Sequence, residues 1–401
     1  MRIKRILPPA AVPIKIREIL IAIVRVLFGK KTIESFESEL KEYYQVRHVF
    51  LLSSGKAALT VILLALRELM PERDEVLIPA YTCYSVPAAV QKAGLKIRVC
   101  DIDPLTFDFD WTRVEEAFES QRLLCAVSIH LFGLPADVER LKKKAAQCGV
   151  VIIEDAAQAM GGEVGGKKIG TLGDVALFSL GRGKALSTVS GGIILTGNGR
   201  LGDAVARVVR ELPREGWTDF LATFCYALAL SLLVRPCLFW LPRALPFLRL
   251  GETVFDPGFA IKRLGPFQAG LAQGWQEKLV WLRGARLKHA AYLEGAGVPA
   301  PAALKGALPN LIRFPVLVDG ARRQRLIEKS EEKGLGVASV YPEAVIGISE
   351  LKGALAGGPA PKAEQVAQSL VSFPVHPYVT EQDLERLAEL FRSSGADGGG
   401  R

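Results

Sequence analysis

Residues 136–159 read ADVERLKKKAAQCGVVIIEDAAQA, a helix followed at once by a strand. Asp137 stands where a helix start needs a side-chain acceptor, and Val138, Leu141 and Ala145 fall on one stripe. The lysines come late, where they suit the helix dipole, and Gly149 stops the helix. VVIIED then runs apolar without alternation, as a strand covered on both faces does, and ends in Glu154 and Asp155. Working outward, HVFLL, EVLIPA, KIRVCDID, LLCAVSIHLFG and GGIILT read as further strands, with GKAALTVILLALREL and VPAAVQKAG as helices between them. This alternation from Val49 to Thr196 predicts an α/β fold on a mostly parallel central sheet sandwiched by helices. Ligands of such sheets bind at the carboxyl ends of the strands.

The chain of 401 residues is long enough for two domains, and its apolar share of 49% is ample for a packed core. A net charge of +9 favours anionic partners. Specific nucleic-acid binding is not expected, because no helix-turn-helix, RNA-binding sheet or zinc-finger pattern accompanies the charge. Six scattered cysteines without a CxxC pair argue for reduced thiols in a cytoplasmic protein, against a disulfide framework or a metal site. The N-terminus starts basic but is broken by prolines and charges, so it reads as a retained segment and not as a signal peptide. The organisation expected is a basic amphipathic segment (1–32), a large domain (33–215), a hydrophobic insertion (216–250), a helical connection (251–290) and a smaller C-terminal α/β domain (291–401).

Three elements carry chemistry. FSLGRGKALSTVSGG, residues 178–192, sets Lys184 among glycines. It is no phosphate loop of the GxxxxGK[ST] kind, since Ala185 follows the lysine and Phe178 stands five before Gly183. A lysine attacking a carbonyl must be deprotonated, and Arg182 is a candidate cationic neighbour to favour that. Asp155 ends its strand either as a capping residue or as the carboxylate that keeps a cofactor ring nitrogen protonated. Ser53, Ser54 and Gly55 form a small polar turn at a helix start, either an ordinary cap or a cup for a phosphate. Together a cup, a ring-nitrogen carboxylate and an imine-forming lysine are the parts of a pyridoxal phosphate site.

The order SSGKAAL, DEVLIPAYT, VCDIDPLTFDFD, SIHLFGLPAD, then IEDAAQAM running on to GRGKALSTVSGGIILT, resembles the DegT/StrS-type sugar aminotransferases, fold-type I pyridoxal phosphate enzymes. SFPVHPYVTEQDLERL resembles the family's closing small-domain element. The resemblance implies Lys184 as the Schiff-base lysine, Asp155 at the ring nitrogen and Gln158 near the ring oxygen. It further implies a phosphate held by Ser179 with the Ser54-Gly55-Lys56 turn. The ring-stacking position holds Cys83 where the family has an aromatic residue, with Tyr84 beside it. Ser190 replaces a family acid, and in FAIKRLGPFQAG Arg263 and Gln268 persist while Ile261 replaces an asparagine expected to reach the neighbouring subunit. A related group that dehydrates sugars has histidine at the lysine position, so Lys184 favours transamination. His130, Tyr84 and Arg263 are the substrate-side candidates, with a hydrogen-bonded core role as the other reading of His130.

The implied activity is transfer of an amino group from an amino acid, glutamate by analogy, to a nucleotide-linked keto sugar for surface polysaccharide or glycolipid synthesis. The implied assembly is a homodimer. Phe220–Val234 carries no charge, yet at about 1.5 Å per helical residue it falls short of a bilayer core of about 30 Å. Pro236, Pro242 and Pro246 interrupt the apolar residues after it, and Arg210, Arg214, Arg235, Arg243 and Arg249 flank the whole piece. With IREILIAIVRVLFGKK near the N-terminus, bearing Arg25, Lys30 and Lys31, the piece reads as a monotopic patch on the inner face of the cytoplasmic membrane. The competing reading packs both segments on each other or in a dimer interface. Two functional alternatives stay open: a lipid-linked keto substrate, or an inactive membrane scaffold of the same fold.

Overall fold

The structure, a computed structural model, describes residues 5–245 and 253–396. Pro246 and Arg249 of the hydrophobic piece, and the tail beyond Ala396, lie outside the described residues. The chain enters through α1 (Ile16–Val26) and α2 (Lys30–Tyr44). It then alternates through β1 (His48–Leu52), α3 (Gly55–Leu69), β2 (Glu75–Pro79), α4 (Ser85–Lys92), β3 (Lys96–Cys100) and α5 (Trp111–Ala117). The alternation continues with β4 (Leu123–Ile129), α6 (Val138–Ala145) and β5 (Val151–Asp155). A small hairpin, β6 (Glu163–Val164) and β7 (Lys167–Lys168), precedes β8 (Val175–Ser179) and β9 (Gly192–Thr196).

The helix at 138–145 folds as its pattern requires. Asp137 accepts a hydrogen bond from the Arg140 amide, and Val138, Leu141 and Ala145 are buried. LLCAVSIHLFG is a strand only to Ile129; residues 131–133 turn through one 3-10 turn with Phe132 at φ 60°. VALFS, not read as a strand from the sequence, is β8, and it lies inside the sheet between β5 and β9.

The eight-stranded sheet has the order β1-β9-β8-β5-β4-β2-β3 and then β12 (Leu355–Gly357), which comes from the C-terminal part of the chain. Only β9 runs against its neighbours, pairing antiparallel with both β1 and β8. The carboxyl ends of β1, β2, β4, β5 and β8 therefore meet at one edge. Helix α3 is buried along most of its length and is apolar on all sides, as a helix enclosed between a sheet and other helices must be.

After β9 come α7 (Gly199–Glu211), α8 (Trp217–Leu233), α9 (Trp240–Arg243), α10 (Pro266–Leu271) and α11 (Trp275–Gly295). β10 (Ala307–Leu308) joins the small hairpin. The C-terminal unit pairs β11 (Phe314–Leu317) with β13 (Leu370–Phe373), under α12 (Gly320–Lys333), α13 (Pro361–Ser369) and α14 (Glu381–Ala396). The N-terminal strand-like stretch straps onto this unit: Leu7 N–H donates to Gly334 O, and the His376 ring donates to Pro8 O at 2.8 Å.

Helices α1 and α8 share a satellite core with α10. Ile14, Ile19, Ala22, Ala227, Phe267 and Leu271 are buried together there, along with Val189 from the lysine loop. Phe220 and Phe224 meet Phe267 edge-on, and a β-carbon on Gly270 would stand 2.9 Å from the Ala22 backbone, so α1 crosses α10 at close range. Among the described residues, no helix is long and apolar enough to cross a membrane.

Candidate active site

Strand β1 delivers Ser53 and Ser54 to the start of α3. Ser54 is extended and its hydroxyl accepts from the Ala57 amide at 3.2 Å, so the side chain caps the helix and leaves the Gly55 and Lys56 amides at the opening. A β-carbon on Gly55 would lie 2.8 Å from Ser179 Cβ, which is why glycine is needed where α3 meets the end of β8. The hydroxyl of Ser179 accepts from the Gly181 amide at 3.3 Å. The Lys56 ammonium points away to Asp256 at 3.5 Å and lies over the Phe259 ring, so this residue offers the cup its backbone and not its charge.

Alternation along β5 turns Glu154 and Asp155 to opposite faces. Glu154 is fully buried and accepts from the Gly170, Leu172 and Gly173 amides, tying down the loop before β8. His130 completes that network. Its Nδ1 accepts from the Ala136 amide at 3.0 Å, which leaves Nε2 carrying the proton and donating to Glu154 at 3.2 Å. Both ring nitrogens are thus engaged within the core. Asp155 is also buried, and its Oδ1 accepts from the Ala157 amide at 3.0 Å, while Oδ2 accepts no hydrogen bond among the described residues. Burial raises the carboxyl pKa, and the Ala157 amide, then Lys184, then His130 pull it back down. A buried carboxylate with a free oxygen and incomplete charge compensation suits a cationic ring nitrogen.

Gln158 follows on the same turn. The Phe132 amide donates to its Oε1 at 3.0 Å, so Nε2 faces the other way and donates to the Tyr341 hydroxyl at 3.2 Å. Tyr341 comes from the C-terminal unit, stacks on Tyr84 and meets Tyr81 at 5.5 Å between ring centroids. Tyr84 donates to Glu343 O at 3.3 Å, and burial pushes its phenol up to about 12. Cys83 is half-buried, with its sulfur 3.3 Å from the Ser85 hydroxyl. The aromatic surface beside Gln158 is therefore built from Tyr81, Tyr84 and Tyr341. Arg263 lies beyond the cup: its backbone bridges to Leu52 and Arg214, and its Nε is buried without a partner.

Lys184 lies in an irregular loop between β8 and β9. Gly183 takes φ +73° against Ala10, and the Lys184 amide donates to Gly181 O at 3.3 Å. Arg182, the cation proposed as its neighbour, is exposed. The buried cation at this loop is Arg286 of α11, whose guanidinium donates to Lys184 O at 3.0 Å and to Ala185 O at 2.9 Å. Sequence reasoning missed Arg286, although it falls in phase with the buried Leu279, Leu282 and Leu293, and an arginine in an apolar stripe is a signal. It also missed Tyr341 and Asn310, which lie in irregular segments where no periodicity marks them.

The cup, the Asp155 carboxylate and Lys184 all sit at the carboxyl edge of the sheet. The residues fit pyridoxal phosphate: glycine leaves room at the cup, and Asp155 presents a free oxygen.

Known proteins share this frame. DesV of S. venezuelae, solved in complex with a ketimine intermediate, superimposes with a TM-score of 0.74 at 26% identity, over 96% of this chain and 98% of that one. DesI, solved in the presence of its TDP-sugar product, gives 0.77 at 21% identity over 98% and 94%, a likeness of fold. A pleiotropic regulatory protein of Geobacillus stearothermophilus is 26% identical over 90% of this chain and 89% of its own length. GDP-perosamine synthase of Caulobacter vibrioides is 33% identical over 46% of this chain and 48% of its own length, so the match spans about half of that relative. With residues 20–226 matching the family model, the chain belongs to the DegT/DnrJ/EryC1/StrS aminotransferase family.

Proposed function

We propose that this protein is a pyridoxal phosphate-dependent aminotransferase that moves an amino group from an amino acid, glutamate by analogy, to a nucleotide-linked keto sugar. The observation that carries the reading is that the helix start at Ser54 and Gly55, the buried Asp155 carboxylate and the Lys184 loop come together at the carboxyl edge of the sheet. Bound pyridoxal phosphate supplies the electron sink that lets an amino acid give up its α-proton and its amino group.

The chain's residues do the rest. The Gly55 and Lys56 amides at the start of α3, with Ser179, would hold the cofactor's phosphate at the positive end of the helix dipole. Asp155 Oδ2 would hold the ring nitrogen of the bound cofactor in its protonated form, a partner suited to a carboxylate that burial disfavours. Gln158 Nε2, oriented by the Phe132 amide, serves the ring oxygen together with Tyr341. With the cofactor bound, Lys184 Nζ would carry a proton from the donor's α-carbon to the cofactor carbon in the first half of the cycle, and in the opposite direction, to the acceptor carbon, in the second. By the resemblance, Tyr84 and Arg263 would serve the substrate side, and Cys83 would stand at the ring-stacking position.

A relative named as a GDP-perosamine synthase supports a nucleotide-linked acceptor, and surface polysaccharide or glycolipid synthesis is the setting we propose for it. A homodimer completes the assembly, with the protein on the cytoplasmic side and in peripheral contact with a membrane. The exposed apolar surface of α1 and α8 favours that contact, and with it a lipid-linked keto sugar as second acceptor.

The test is spectroscopic. Protein purified with pyridoxal phosphate is expected to show a visible band that glutamate bleaches. Borohydride should fix the cofactor to the wild type and not to a Lys184→Ala variant. Folded wild type that takes up no cofactor would overturn the reading.

A further inference from the structure

The aromatic wall beside Gln158 carries a cation with no counter-ion. Arg313 stands between the buried Ile312 and Phe314 at the entry to β11. The segment before it is laced to the turn at 132–133: the Asn310 amide donates to Gly133 O at 3.3 Å and the Ile312 amide to Phe132 O at 3.0 Å. The Phe132 amide of that turn orients Gln158, and Gln158 in turn donates to Tyr341. The Tyr341 amide donates to the Tyr81 hydroxyl at 3.4 Å. Arg313 is thus delivered to the site by the same contacts that shape its wall.

The charges around Arg313 include no anion. Burial lowers its pKa, Tyr341 raises it, Arg182 lowers it again and Tyr81 raises it. Arg313 acts in return on both phenols, so the guanidinium lies beside the paired rings of Tyr81 and Tyr341. Burial pushes both phenols up, so neither supplies a negative charge at neutral pH. Cys83 also neighbours Tyr341. Among the described residues no carboxylate pairs with Arg313 or with Arg182. Arg182 is exposed, and alone it would be an ordinary surface cation. Arg313 is half-buried, and an arginine keeps its charge there. An enclosed guanidinium without a hydrogen-bond partner, facing a second arginine, costs free energy that the fold by itself does not require.

We infer that Arg313 and Arg182 form an anion clamp beside the Tyr81–Tyr341 wall, holding the charged group of a substrate: the carboxylate of the amino donor or a phosphate of the nucleotide-linked acceptor. The inference rests on the aminotransferase reading and names for it the residues that hold substrate by charge. A guanidinium presents parallel N–H donors whose spacing matches two oxygens of a carboxylate or a phosphate. An anion between the two arginines replaces their mutual repulsion with two attractions.

Glutamate, GDP and TDP serve as probes on the full-length protein loaded with pyridoxal phosphate. Bleaching of the visible band gives the glutamate concentration for half-maximal rate, and calorimetry gives the dissociation constants of GDP and TDP. Arg313→Gln is expected to raise the glutamate constant or the diphosphate constants about tenfold or more, while the bleaching rate at saturation falls much less. Arg313→Lys, which keeps the charge and loses the fork, should lie between it and wild type. Should Arg313→Gln fail to fold, Arg182→Glu changes an exposed side chain and sets a carboxylate against Arg313. It is expected to weaken the same probe about tenfold. A shift confined to glutamate assigns the clamp to the donor's carboxylate, and one confined to GDP and TDP assigns it to the acceptor's phosphates. A shift in all three means that one clamp serves both substrates in turn. Unmoved constants for all three probes in Arg313→Gln, or in Arg182→Glu in its place, overturn the inference. So does a loss of rate at saturation as large as the loss of affinity, which would mark a structural role. Wild type without a visible band defeats the aminotransferase reading itself, whereas a normal band with unmoved constants defeats only this inference.

Discussion

The lysine loop and the α1–α8 face touch through Val189, yet they break the ordinary rule of burial in opposite ways. Around the loop, polar groups lie inside. Glu154, His130, Asn310 and Arg286 are all buried, and each is held by several hydrogen bonds. On the α1–α8 face, apolar groups lie outside: Leu27 is 83% and Trp217 72% exposed, with Leu20, Val24, Phe28 and Leu221 also open. Buried polar networks and exposed apolar patches are the two informative departures from inside-out packing. The first specifies geometry from within the chain. The second leaves surface that a partner must cover, and predicts a very different response to mutation.

Replacing the lysine should give the largest effect. Lys184→Ala is expected to lower turnover about a thousandfold or more, since the proton-carrying group is lost, while melting temperature changes little. Steady-state kinetics beside a thermal melt separates the two. Similar activity in the variant would mean that the polar interior is scaffolding.

At the cup, Gly55→Val drives a side chain into Ser179, whose Cβ would be 2.8 Å from the new carbon. Overpacking of this kind costs about 1–3 kcal/mol. Cofactor affinity should fall about tenfold or more in a fluorescence titration, because the amides at the helix start shift away from the phosphate. Unchanged affinity would place the phosphate elsewhere.

The strap contact responds to acid. His376 has its pKa lowered from 6.5 to about 4 by burial, so the unfolded chain binds the extra proton first as pH falls. Stability from this site is complete above about pH 7, is lost as pH falls through 6.5, and is gone near pH 4. At pH 5 the loss is about 2 kcal/mol. Denaturant melts at pH 7.5 and 5 should differ by that amount in the wild type and by much less in His376→Gln. Equal differences would assign the acid sensitivity to other groups.

How much of this was legible depends on whether a residue's role was local. The helix at Val138–Ala145, the extent of α3 and the ends of β1 and β5 follow from patterns a few residues long. The meeting of Ser54, Asp155, Ser179 and Lys184 at one edge follows from parallel strands, and the resemblance implies the roles proposed for them. VALFS escaped notice because it is a short apolar run flanked by glycines and a polar loop, without alternation. Arg286 and Tyr341 act on residues more than a hundred positions away, a distance that no local pattern spans. Arg182 was the natural choice beside Lys184 in sequence, but two residues along an irregular turn point in different directions.

The smallest expected effect on the folded protein sharpens the comparison most. In α8 only Ala227 and Ser231 are buried, so Leu221→Glu changes a side chain already in water. Its stability should move by less than about 0.5 kcal/mol, as should that of Leu27→Glu at the end of α1. Cofactor binding and turnover on a soluble acceptor should be untouched. What should change is co-sedimentation with anionic vesicles. Exposed Arg17, Lys31 and Arg214 border the apolar residues, and binding to such a surface combines burial of apolar area with attraction to headgroups that salt weakens. Loss of vesicle binding in both variants, with the wild type released by salt, supports the membrane contact. If the variants instead turn from dimer to monomer in light scattering while vesicle binding never occurs, the face is an interface between subunits. A stability loss of several kcal/mol in either variant would mean that the face is covered within the chain, and the contrast with the lysine loop would then collapse.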